Sequence, residues 1–206
     1  MNVTDLERQW FIVSRWQEYG AELRANLLRI IGIAAFYLVH VASYYQWFGL
    51  PPMEGADRRF HLGVTALAVA WILLALAVHV ALVRGVFPRA VKYATTLADI
   101  CLLTLMIGVC DGPRSPLVVG YFLILALAAM RFSLPLVWCA TAGTIASYLA
   151  LLGYAAWYAS RDKTVARHEQ LIMLVAFVLA GVAMGAVVRR VRKLALEFSS
   201  RMQSPP

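Results

Sequence analysis

Two ionisable residues lie inside apolar segments of the sequence, and they are the first candidates for chemistry. Asp99 is the only acidic residue within a predicted membrane span, and His40 lies near the middle of another. A charge at that depth is costly unless it is paired or neutral, so such a residue indicates a functional site. At about 1.5 Å per helical residue, both side chains fall near the bilayer midplane. The sequence therefore allows a His40–Asp99 pair. The alternative is a purely structural Asp99, protonated or bonded to nearby hydroxyl groups.

A stiff polar turn, CDGPRSP at residues 110–116, separates two apolar segments. Gly112 permits tight backbone geometry there, and the two prolines restrict it. Ser115 is suited to cap a helix that begins at Pro116, because proline at that position lacks only a donor that would be unpaired anyway. The free amides of the helix start, beside Arg114, predict a site for an anion or a carbonyl group. The alternative is a rigid turn without a ligand.

The composition predicts an integral membrane protein. Of the 206 residues, 62% are hydrophobic and 15% are charged, which is more apolar surface than a soluble domain of this size can bury. Apolar segments near 20 residues predict an all-α fold, a polytopic bundle of six transmembrane helices. The fourth segment is short unless it extends over residues 131–134, with Arg131 reaching back to the membrane surface. The predicted spans are residues 30–47, 62–83, 91–110, 117–130, 136–158 and 171–188.

The distribution of basic residues predicts how the bundle is oriented. Thirteen of the 19 Lys and Arg residues fall on the side of the N-terminus, which predicts a bacterial inner-membrane protein with both termini in the cytoplasm. Residues 1–24 predict an amphipathic helix on the inner membrane surface, or alternatively one packed on a cytoplasmic partner. Residues 25–189 form the predicted six-span domain, and residues 190–206 a cytoplasmic helical exit segment.

Several function classes find no support in the sequence. The net charge of +8 is a topology signal in a membrane protein and does not indicate nucleic-acid binding. None of the three cysteines forms a CxxC pair, no catalytic motif is visible, and we predict neither an enzyme nor a metal site. His40 and His79 differ too much in depth for a haem, which leaves His61 with His168 as a weak metal candidate.

Small residues predict close helix packing in the last span. Gly181 and Gly185 form a GxxxG step, which lets two helices approach closely. The partner is either another helix of the same chain or a second copy of it, so a homodimer is one of two alternatives.

The stretch from Asp99 to Pro116 resembles a membrane sensor module. An acid and a threonine in the third span, a glycine-containing turn ending in Ser-Pro and then an apolar helix are similar to the sensor domains of PilS-like and RegB-like bacterial histidine kinases. The RegB-like turn reads Gly-Gly-x-x-Asn-Pro-Phe. Gly112 and Pro116 match it, whereas Asp111, Ser115 and Leu117 differ. The six-span layout with a basic exit helix also resembles the membrane anchors of bacterial adenylate cyclases.

The resemblance implies a sensory function. A lipophilic or outer-face signal would act at the outer ends of spans three and four, and the last helix would pass it to a cytoplasmic kinase or cyclase-type effector. Quinone is the cofactor that the resemblance suggests. The sensing candidates are Asp99, His40, Gly112, Arg114 and Pro116. The alternatives are a small transporter or channel subunit, or a redox subunit that holds haem or quinone.

Overall fold

The computed structural model describes residues 3–49, 58–85, 90–158 and 164–203. It confirms the all-α prediction: the described ranges consist of helices joined by short turns and contain no strand. Short 3₁₀ turns flank the α-helices at Trp47–Gly49, Gly112–Arg114 and Pro116–Val119. The α-helices are α1 (Val3–Tyr44), α2 (Arg58–Val83), α3 (Val91–Val109), α4 (Gly120–Met130), α5 (Leu134–Tyr158) and α6 (Arg167–Gln203).

In the described part of the chain, five helical segments are long and apolar enough to cross a bilayer, which indicates a multi-pass membrane protein. The segment Pro116–Met130, which ends with α4, is apolar but shorter than these five, so a sixth crossing stays a prediction. These five segments are Tyr19–Tyr44, Arg58–Val83, Val91–Val109, Leu134–Trp157 and Arg167–Ala195.

Helix α1 is continuous from Val3 to Tyr44. It therefore has no break at residue 24, where the sequence analysis placed the end of a separate surface helix. The apolar part of α1 begins at Tyr19, eleven positions before the predicted start of the first span. The side chains of residues 3–18 lie outside the described part, so their position at the membrane surface stays a prediction.

Consecutive helices are antiparallel, as their short connections predict. Tyr19, Lys92 and Arg131 consequently lie at one end of the bundle, which we call the terminal face because α1 and α6 extend beyond it. His61 and Pro116 lie at the opposite end, the distal face. These two faces are the reference for depth within the bundle.

The ring of Phe177 on α6 links that helix to its neighbours. It is fully buried and contacts the rings of Tyr121, Phe122 and Tyr148 at centroid distances of 5.7, 5.0 and 5.5 Å. The first two belong to α4 and the third to α5. The contacts with Tyr121 and Tyr148 are edge-on, and such contacts add specific geometry to the apolar packing. We call these four residues the Phe177 cluster.

The GxxxG step packs within the chain. A Cβ atom on Gly181 would collide with the side chain of Thr141, and one on Gly185 would contact Leu134 at 3.4 Å. Both neighbours belong to α5, so the small residues allow α5 and α6 to approach closely. The structure thus supports the first alternative for these glycines, and a homodimer stays a prediction.

Candidate functional site

Asp99 lies deep in the bundle and forms an ion pair with Arg29. The Arg29 Nη2 and Asp99 Oδ2 atoms are 2.8 Å apart, and both residues are only 2% exposed. The indole Nε1 of Trp71 donates a hydrogen bond of 2.8 Å to the other carboxylate oxygen. The pair joins α1 to α3, and Trp71 adds α2. Because opposite charges offset each other, the cost of burying either one is much reduced.

A second hydrogen bond orients Arg29. Its Nη1 donates to Asn26 Oδ1 at 3.0 Å, and Asn26 Nδ2 donates to the backbone carbonyl of Ala75 at 3.0 Å. Asn26 is fully buried. The guanidinium therefore bridges Asp99 on α3 and, through Asn26, the backbone of α2. This fixes its plane more firmly than one ion pair would.

Arg131 forms a second buried ion pair near the terminal face. Its Nε lies 3.0 Å from Glu22 Oε2, and its Nη1 donates to the Lys92 carbonyl at 2.9 Å and to Thr96 Oγ1 at 2.8 Å. Arg131 is 7% exposed and Glu22 6%. The prediction that Arg131 reaches back to the membrane surface is therefore wrong. Helix α4 ends at Met130, Phe132 adopts a positive φ of 50°, and Arg131 turns inward to bind α1 and α3.

His40 lies near the distal face, away from Asp99. Its Nε2 is 3.2 Å from Nδ1 of His61 on α2, and the ring of Tyr44 stacks on His61 at 4.0 Å. A His40–Asp99 pair is thus not formed. The apolar segment begins at Tyr19 and ends at Tyr44, which places His40 one turn from its end instead of near its middle. Because His61 is bonded to His40, the structure gives no support to a metal site shared by His61 and His168.

A cavity of about 400 Å³ extends from the Arg29–Asp99 pair toward the distal face. Arg29, Asp99 and Trp71 form its deep end, and Ser115 and His40 line its distal end. Residues 29 and 40 are eleven positions apart on α1, or about 16 Å of helix. Its walls are apolar and come from α1, α2, α3 and the segment that ends with α4; they include Ile33, Val64, Met106 and Ile124. An elongated apolar cavity with a few polar groups is typical of a ligand site.

The cavity reaches the surface of the bundle between α1 and α4. Phe36, Val39 and Leu123 all line it, and they are 40%, 64% and 36% exposed. In a membrane protein that surface faces lipid. The lining of the cavity therefore includes side chains on the surface that faces lipid.

The polar turn forms the rim of the cavity. Gly112 has a φ of +63°, a conformation that favours glycine, and Ser115 Oγ accepts a 3.3 Å hydrogen bond from the Leu117 amide. The predicted serine cap and proline start are thus confirmed. Pro116 lines the cavity together with Asp99 and His40, whereas Gly112 and Arg114 do not belong to its lining. Ligand binding by the turn itself stays a prediction.

Four buried polar residues that shape the site were not predicted from the sequence: Glu22, Asn26, Arg29 and Trp71. The spacing of three of them in the sequence, Glu22, Asn26 and Arg29, does indicate a buried polar face. Glu22, Asn26, Arg29 and His40 follow one another on α1 at spacings of four, three and eleven, which place all four on one helix face. A polar stripe on a helix with an apolar remainder indicates a face turned into the bundle.

The buried acidic side chains are held in fixed positions by their partners. In the described ranges no three or more His, Cys, Asp or Glu side chains lie close enough to hold a metal ion. The buried carboxylates of Asp99 and Glu22 are each paired with an arginine, which suits a stable, preorganised site. In comparisons with known proteins, no family model, no curated protein and no solved structure matches this chain, so the site alone supports a functional assignment.

Proposed function

We propose that this protein is a sensory membrane module in which a lipophilic ligand occupies the cavity and α6 carries the response to a cytoplasmic partner. The observation that carries the proposal is the cavity itself: it opens between α1 and α4 on the lipid-facing surface and ends at a buried ion pair. A module that monitors a lipid-soluble signal needs such access from the bilayer.

Helix α4 connects the cavity to α6. Gly120, Leu123 and Ile124 face the cavity, and Tyr121 and Phe122 on the same helix contact Phe177 of α6. A ligand that displaces α4 therefore changes the packing of the Phe177 cluster. Helix shifts of about 1–2 Å between packed helices are a common form of switching.

The proposed orientation places the terminal face in the cytoplasm. The excess of basic residues on that side supports it, as do the exposed residues Arg192 and Lys193 on the extension of α6. In this orientation Pro116–Met130 completes a sixth crossing. A kinase or cyclase-type effector, reached by α6 alone or by a homodimer, remains our proposal for the partner. Quinone is one ligand that the resemblance suggests.

Ligand binding should move the end of α6. We expect spin labels at Arg84 and Lys193, both exposed near the terminal face, to change their separation by about 1–2 Å when a twelve-carbon methyl ketone or the matching alkane fills the cavity. Double electron–electron resonance on the protein in nanodiscs, with the three native cysteines replaced, measures this distance.

Ala68→Leu is the matched control for that measurement. Ala68 lines the cavity and is 1% exposed, so a larger side chain occupies ligand space without removing a polar contact. The labelled control should fold and show no ligand-dependent change. An unchanged distance in the protein with Ala68, at concentrations that saturate binding, would refute the proposed relay.

A transporter or channel subunit is the second candidate. The observation in its favour is that polar pairs occur at three depths: His40–His61, Arg29–Asp99 and Glu22–Arg131. Against it, the cavity walls between the first two pairs are apolar, which gives an ion no continuous polar path. Proton or ion flux through liposomes that contain the protein would favour this candidate over the sensor.

A further inference from the structure

We propose that the cavity binds a neutral lipophile whose hydrogen-bond-accepting oxygen lies at the deep end, on the Nε–H of Arg29, and whose apolar body points toward the distal face. This inference rests on the proposed function, because it requires that the cavity is a ligand site. To that function it adds three properties of the ligand: its charge, its polar group and its orientation in the cavity.

The contacts of Arg29 leave one of its three guanidinium nitrogens without a partner in the described part of the chain. Nη1 donates to Asn26 and Nη2 contacts Asp99, but Nε is buried and has no hydrogen-bond partner among the described residues. A buried donor without an acceptor is costly, and the few that occur in folded proteins commonly mark a bound water, ion or ligand. Among the described buried polar atoms that lack a partner, this is the one whose residue lines the cavity.

The charges at the deep end select a neutral ligand. Arg29 and Asp99 offset each other, so the deep end carries no net charge. A carboxylate placed there would lie beside Asp99, and an ammonium group would lie beside the guanidinium. A ketone, ester or alcohol oxygen accepts a hydrogen bond without adding a charge to a site that is shielded from water.

Two polar groups at the distal end, those of His40 and Ser115, have partners of their own. His40 bonds to His61, and Ser115 accepts from the Leu117 amide. Because their hydrogen bonds are already made, they gain less from a polar group of the ligand than the unpartnered Arg29 Nε does. The inferred orientation is therefore opposite to that of a phospholipid, whose headgroup must stay at the membrane surface. Phospholipids are accordingly excluded as ligands. The bilayer that they form is the route by which the ligand reaches the opening between α1 and α4.

The test compares a twelve-carbon methyl ketone with the alkane of the same length. In nanodiscs, each probe is titrated against the thermal unfolding of the protein, followed by helical circular dichroism. We expect the ketone to reach half-saturation at a concentration about tenfold lower, since a hydrogen bond from a charged donor is worth about that factor.

Arg29→Lys is the informative variant, because it keeps the positive charge beside Asp99 and removes the Nε donor of the guanidinium. The preference for the ketone should disappear in it. Arg84→Lys, the same substitution at an exposed arginine outside the cavity lining, should leave the preference unchanged. Equal binding of the two probes to the protein with Arg29, or a preference that survives in Arg29→Lys, would overturn this inference alone. If neither probe binds, the cavity is not a ligand site, and the proposed function fails with it.

An infrared measurement keeps the inference testable even if Arg29→Lys does not fold. With a ¹³C-labelled carbonyl, the bound ketone should absorb at lower wavenumber than the same ketone in empty nanodiscs, because a hydrogen bond to a guanidinium weakens the C=O bond. A bound ketone that absorbs at the frequency of the free one would contradict a bond to Arg29.

Discussion

Replacing Asp99 with leucine should lower the free energy of unfolding by about 3–5 kcal/mol, because Arg29 would remain charged and buried without its partner. The indole of Trp71 would also lose its acceptor. Reversible unfolding in mixed micelles with sodium dodecyl sulfate measures this change. Asp111→Asn is the control: Asp111 is exposed, and its replacement should change stability by less than about 0.5 kcal/mol.

The double variant Arg29→Met, Asp99→Leu distinguishes the cost of leaving one buried charge unpaired from the contribution of the intact ion pair to stability. Since it removes both charges and keeps apolar volume, it should recover most of the stability that Asp99→Leu loses. A double variant as unstable as the single one would contradict the ion pair. If the single variant retains its stability, Asp99 is not paired with a buried charge, and the deep end of the cavity is described wrongly.

Replacing Arg131 with methionine should cost a similar 3–5 kcal/mol. The change leaves Glu22 buried without a cation, and it also removes the donor to the Lys92 carbonyl and to Thr96. These contacts hold the turn between α4 and α5 against α1 and α3. We therefore expect both lower stability and faster hydrogen exchange in that turn, measured by mass spectrometry.

The ion pair between Lys193 and Glu197 provides the contrast. It lies on the exposed surface of α6, its atoms are 3.8 Å apart, and its side chains are 79% and 51% exposed. Exposed pairs contribute little, so Lys193→Met should change the free energy of unfolding by less than about 0.5 kcal/mol. Equal effects of the Arg131 and Lys193 substitutions would show that Arg131 is not buried in an ion pair.

Local chemistry predicted the fold and the polar turn well. Long apolar segments can satisfy their backbone hydrogen bonds in a bilayer only as helices or closed barrels, so composition alone restricted the fold. The cap at Ser115, the helix start at Pro116 and the positive φ of Gly112 depend on nearest neighbours in the chain, and the structure contains all three.

The partners of the buried charges could not be predicted in the same way. A partner depends on which faces of two helices meet and at what depth, and both depend on where a span begins. With the predicted start of the first span at residue 30, Arg29 fell outside the span on the cytoplasmic side and His40 fell near the midplane. The structure begins the apolar segment at Tyr19, which moves Arg29 into the bundle beside Asp99 and His40 to the distal end.

Access of lipid-soluble molecules to the cavity is the central claim, and the fluorescence of Trp71 tests it most directly. Trp71 lines the deep end and is 8% exposed, whereas Trp157 is 85% exposed on the bundle surface. In a variant that keeps only Trp71 of the six tryptophans, a brominated twelve-carbon alkane in nanodiscs should quench the emission and reach saturation. In a variant that keeps only Trp157, quenching should rise in proportion to concentration. Absent or unsaturable quenching of Trp71 would contradict a cavity that opens to the bilayer.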